Sequence, residues 1–199
     1  MYASIRVPWS SNPSTAESVY RAAGLVKTKG TLFLLPPPVD VLRDSFNAPP
    51  RPKTRMSAGA VALCKHFERG GASSEHGRPH PFWTLPAGSN EEKTKTAARV
   101  LEDILADAEW RNVMLLHQGV AVYEIRNARG YGMRWTLDIL PKEDEEKHKI
   151  ESVDKASPPQ REESDHLEND WERTWEIQRT TFRGFLEPIA ELDHELTTR

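Results

Sequence analysis

From Ala97 onward apolar residues recur at Val100, Leu101, Ile104 and Leu105. That i, i+3, i+4 spacing draws one stripe along a helix and predicts a helix that lies on a sheet. Ser89 and Glu92 stand three residues apart at its start, the spacing of a capping box in which side chains satisfy the free amides of the first turn. Upstream, Ala58, Val61, Ala62, Lys65 and Phe67 make a looser amphipathic pattern that Ser57 opens and Gly70–Gly71 closes. A shorter helix is expected through Ala16, Val19, Tyr20 and Ala23, capped by Ser14 or Thr15 and stopped by Gly24.

After Glu109 the period changes to two. Trp110 to Leu116, Val120 to Arg126, Met133 to Leu137 and Phe182 to Glu187 read as strands, the first three joined by the short links HQG and NARGYG. TLFLL, running into Pro36, Pro37 and Pro38, reads as a short edge strand, and Ile189, Leu192 and Leu196 as a terminal helix. These elements predict an α+β fold: two helices packed on a roughly four-stranded antiparallel sheet, with a disordered acidic insertion before the last strand. The expected domains are a basic, Pro-rich N-terminal arm with a short helix over 1–55, and a single α+β domain over 56–199. The insertion interrupts that domain at about 139–178.

Charge sharpens this division. Residues 1–65 hold nine Lys and Arg against three Asp and Glu, whereas 139–178 hold six against thirteen. Together with 29% charged residues, 37% hydrophobic residues and fifteen prolines, that distribution describes charged arms around a nearly neutral core. NAPPRPKTR is an extended linker. Cys64 is the single cysteine, so no intramolecular disulfide is expected, and a reducing intracellular compartment follows. The longest apolar run, TLFLLPPPV, is broken by proline and is too short to span a bilayer, so no membrane partner is expected. Arg6, Arg21, Lys27 and Lys29 against Glu17 resemble a mitochondrial presequence in composition, which Pro8 and Pro13 oppose as a helix. Cytoplasm or nucleus is therefore favoured, with the mitochondrion as the alternative.

HPFWTLPAGSNEEKT, WRNV, YEIRNARGYGMRW and FRGFLEP, taken together, resemble an uncharacterised eukaryotic family that shares HPFW-x-LP-x-GS, WRNV, YG-x-RW and GFLEP motifs. The resemblance covers about residues 56–138 and 180–188 and implies the fold and its limits, with no activity, cofactor or catalytic residue attached.

Alternation along the strands sorts the chemistry. Ala121, Tyr123 and Ile125 share one face, and Glu124 and Arg126 the other. Met133, Trp135 and Leu137 oppose Arg134, while Phe182 and Leu186 oppose Arg183 and Glu187. If the apolar sets cover the helices, Glu124, Arg126, Arg134, Arg183 and Glu187 gather on the open face. There three guanidiniums can receive a phosphate or carboxylate, or simply form a ladder of cross-strand ion pairs. Trp83 joins these candidates if exposed; as a buried group it would staple the helix to the sheet with Phe82 and Leu85. Cys64, His66, His76 and His80 lack the spacing of a zinc site, so no metal is expected. Cys64 lies within a helix, no serine stands in a nucleophile-elbow context, and GYG lies between strands, so no catalytic residue and no cofactor is assigned. The first reading is a non-catalytic adaptor that binds another macromolecule, a protein, through its arm and the charged sheet face. Two alternatives stand behind it: an enzyme or small-ligand binder for an anionic substrate at the arginines, and an RNA-associated protein.

Overall fold

A computed structural model describes residues 13–67, 80, 82–117, 119–141 and 175–188. Its elements are four helices, α1 (Pro13–Ala22), α2 (Val39–Asn47), α3 (Ala58–Phe67) and α4 (Asn90–Ala106), then four strands. The strands β1 (Trp110–Leu115), β2 (Ala121–Arg126), β3 (Gly132–Pro141) and β4 (Trp175–Leu186) form one antiparallel sheet in the order β1-β2-β3-β4. This is the expected α+β architecture.

Helices α2, α3 and α4 cover one face of the sheet. The α4 stripe is buried as its periodicity predicts, at Ala97, Val100, Leu101 and Ile104, and both halves of the Ser89–Glu92 capping box are formed. Against it the sheet presents Val113, Tyr123, Ile125, Met133 and Trp135. Helix α2 went unforeseen because its nine residues follow the triple proline and carry only two core anchors, Leu42 and Phe46, one turn apart. Phe46 packs edge-on against Phe182, with ring centroids 4.6 Å apart. On its other side it meets α3 at Gly59, where a Cβ would come within 2.0 Å of the ring. Only glycine permits that approach of α3 to α2.

The chain between α1 and α2 also departs from an extended arm. It runs along the outer edge of β1, where the Val26 amide donates to the Arg111 carbonyl at 2.8 Å and the Leu32 amide to that of Val113 at 2.8 Å. The Leu115 amide returns a bond to the Gly30 carbonyl at 2.9 Å, and Thr31 bridges Met114 in antiparallel sense. Beneath these bonds the Tyr20 hydroxyl donates to Asn112 Oδ1 at 2.6 Å and accepts the Val113 amide at 2.7 Å. Asn112 Nδ2 donates to Thr28 Oγ1 at 2.7 Å, and Thr31 Oγ1 donates to Asn112 Oδ1 at 3.2 Å. Tyr20, Leu25, Leu34, Leu42 and Phe46 thus belong to the same core as the strands. Burial pushes the Tyr20 and Tyr123 hydroxyls above their usual range, Tyr123 to about 12.

Strands β3 and β4 run further than alternation predicts, so both ends of the 139–178 stretch are strand and Trp175 opens β4. Residues 142–174, with Trp171, and 189–199, with the expected terminal helix, lie outside the described residues. Among the described residues no helix is long and apolar enough to cross a membrane.

Candidate functional site

Strand β4, at the edge of the sheet, is irregular. Arg134 of β3 lies opposite Gly184, but the next residue, Trp135, lies opposite Phe182, so Arg183 is an extra residue that bulges out of the ladder. The bulge lets Phe182 and Phe185 both enter the core while Arg183 stays exposed. Between this edge and α3 runs a cleft of about 460 Å³, lined by Ala58, Val61, Ala62, Lys65 and His66 on one side and residues 182–186 on the other, with Pro50 and Arg134. Lys65 is exposed as well, and no described residue forms an ion pair with Lys65 or Arg183.

At the end of β4 the Glu187 carboxylate gathers three side chains from two stretches of the chain. Its Oε1 accepts the Trp83 indole N–H at 2.7 Å and lies 3.1 Å from His66 Nδ1 and 3.4 Å from His80 Nε2. The backbone amides of Phe82 and Trp83 both donate to His80 Nδ1, at 3.1 and 2.9 Å. A nitrogen that accepts two bonds carries no proton, so the His80 proton sits on Nε2 and faces Glu187. His80 is thereby a buried brace, its side chain 2% exposed. His66, at 21%, lines the cleft, and with Nδ1 engaged by Glu187 its remaining ring nitrogen is Nε2. Glu187 is 38% exposed. Phe82 stacks on Tyr131 at 4.1 Å behind this group, and the Arg129 guanidinium stands 5.1 Å from the Phe82 ring.

Glu124, Arg126 and Arg134 lie together, as strand alternation predicts, but not on an open face. Glu124 and Arg126 are buried. Arg126 Nε donates to Glu124 Oε1 at 2.6 Å, and Arg134 Nε donates to Glu124 Oε2 at 2.7 Å. Arg126 Nη1 continues to the Glu187 carbonyl at 3.0 Å and the Gly130 carbonyl at 2.5 Å, which ties this group to the strand end that carries Glu187. Arg183 stands apart from it, on the bulge. Trp83 is buried, wedged against Phe185 at 4.8 Å between ring centroids, and acts through its N–H on Glu187 rather than as an exposed contact. Leu85, expected beside it in the staple, is instead 55% exposed.

From the sequence His66 and His80 are candidates only as zinc ligands, and their meeting with Glu187 is not foreseen. The one local signal was a polar Lys65–His66 pair closing an otherwise apolar helix. His76 lies outside the described residues, and among the described residues no three His, Cys, Asp or Glu are grouped to hold a metal ion.

Residues 47–142, just under half of the chain, match the CdiA C-terminal tRNase toxin domain family. The matched stretch carries His66, His80, Trp83, Glu124, Arg126 and Arg134 and stops short of β4, with Arg183 and Glu187. No curated protein and no solved structure matches the chain.

Proposed function

We propose that this domain binds RNA in the α3–β4 cleft and cleaves its phosphodiester backbone. The observation that carries the reading is the join between a cationic cleft and an oriented histidine. Lys65, Arg183 and His66 line one groove, and His66 Nδ1 is held by Glu187. Cationic side chains without a described partner suit phosphate oxygens. A histidine anchored through one nitrogen presents the other in a fixed direction, the arrangement a general base needs. On this reading His66 Nε2 takes the proton of a ribose 2′-hydroxyl. The 2′-oxygen then bonds to phosphorus, the bond from phosphorus to the 5′-oxygen breaks, and the departing oxygen gains one proton. Glu187 stabilises the imidazolium that forms, while Trp83 and His80 hold Glu187 in place.

The likeness of residues 47–142 to a tRNase toxin domain supports RNA as the polymer and tRNA as the first substrate to try. It sides with the RNA-associated alternative over the non-catalytic adaptor. The test is incubation of the full chain with end-labelled tRNA. We expect fragments ending in a cyclic phosphate, formed at least about 10²-fold more slowly by His66→Ala. Intact tRNA after prolonged incubation with the wild type, or equal cleavage by His66→Ala, would sink the reading.

A further inference from the structure

We propose that Glu124 is a positioning residue that locks Arg134 as a phosphate clamp on the wall of the cleft, an inference that rests on the reading of the cleft as a site for RNA. Arg134 is the cleft-lining cation whose geometry is fixed from behind. Its Nε and Nη2 both engage Glu124 Oε2, at 2.7 and 2.5 Å. The carboxylate is 3% exposed and the arginine side chain 21%, so an anion in the cleft meets the guanidinium and not its partner. A guanidinium has five N–H donors, and two contacts on one oxygen leave Nη1 and the second Nη2 hydrogen to donate outward.

The residue across from Arg134 in the ladder is Gly184, and no atom lies within 4 Å of the position its Cβ would occupy. There is consequently open room beside the clamp, in a cleft that Lys65 and Arg183 also line. The other oxygen of Glu124 fixes Arg126, which holds the Glu187 carbonyl. One buried carboxylate therefore sets both the clamp and the strand end that positions His66. Preorganisation of this kind removes the cost of ordering an arginine when the substrate arrives.

The experiment measures two things on the full-length chain: affinity for tRNA, and the rise in melting temperature given by inorganic phosphate. Arg134→Ala should weaken tRNA binding by about 10-fold or more and abolish the phosphate-dependent rise. Arg134→Lys keeps the charge but cannot fork onto Glu124, and should behave much like Arg134→Ala. Glu124→Gln should weaken binding in the wild-type background and lose much less in the Arg134→Ala background, where only its bond to Arg126 is left to lose, since residues that act through one another are not additive. Should Glu124→Gln fail to fold, Glu124→Asp, which keeps the buried charge but shortens its reach, takes its place in the same cycle. Arg179→Ala, an exposed arginine paired with Asp138, is the control and should change neither measurement.

The proposal is overturned if Arg134→Ala binds tRNA and phosphate like the wild type. It is equally overturned if the Glu124 variant loses as much in the Arg134→Ala background as in the wild type. Cleavage of tRNA with an unaffected Arg134→Ala would remove the clamp and leave the ribonuclease. Phosphate stabilisation that depends on Arg134, in a protein that leaves tRNA intact, would keep the clamp and remove the ribonuclease.

Discussion

The two outer edges of the sheet have opposite fates. Along β1 the backbone finds partners in residues 26–32, and the one polar side chain at its centre, Asn112, is bonded by Tyr20, Thr28 and Thr31 and fully buried. Along β4 the ladder is broken by a bulge, Arg183 and Lys65 stand exposed, and a cleft lies open beside them. A sheet edge is a row of unsatisfied groups, and a protein either covers it or puts it to use. Here covering β1 contributes to stability, while the irregular β4 leaves a cleft lined by exposed cations.

The contrast is broken most directly at His66. His66→Ala should reduce tRNA cleavage by at least about 10²-fold while leaving the thermal midpoint nearly unchanged, as followed by gel assay and circular dichroism. The mirror change on the sealed edge is Asn112→Ala, which removes the partner that the hydroxyls of Tyr20, Thr28 and Thr31 share. It should cost roughly 2–3 kcal/mol in urea denaturation, with cleavage below the melting transition unaffected. If activity falls at temperatures where the variant is folded, the two edges are not independent. A smaller effect is expected from Lys65→Ala and Arg183→Ala. Each should weaken tRNA binding several-fold and lower the slope of log affinity against log salt by about 1.

The mildest test is alkaline. The folded state keeps the Tyr20 and Tyr123 hydroxyl protons, which the unfolded chain releases above about pH 10. Stability should thus be complete below pH 10 and decline as pH rises toward 12, and Tyr20→Phe should flatten part of that decline in pH-resolved denaturation.

The elements that were legible in the sequence are those whose signal is local. Helix α4 announced itself through a stripe and a capping box a few residues long, and β1 to β3 through alternation and glycine-bearing turns. Alternation also placed Glu124, Arg126 and Arg134 on one face, because a pleat assigns faces; it says nothing of what covers a face, so their burial was not foreseen. Helix α2 is too short to show a period. The pairing of residues 26–32 with β1 joins segments about eighty positions apart, and the Glu187 cluster joins His66 and Trp83 to a residue more than a hundred positions away. Nothing in a local pattern encodes those meetings, which is why the Glu187 cluster stayed hidden while its scaffold did not.

The length of β3 carries a practical consequence. Ten residues at about 3.3 Å each set Pro141 some 30 Å along the strand from Gly132, the end nearest Arg126 and Glu187. There Pro141 pairs with Trp175, so the chain leaves the sheet and rejoins it at adjacent points. Lengthening a connection between two neighbouring strand ends adds about 0.6 kcal/mol of loop-closure entropy for each doubling of its length. That far end of the hairpin is accordingly a natural port for grafting: a fluorescent reporter or an affinity handle placed within 142–174 should leave cleft chemistry untouched.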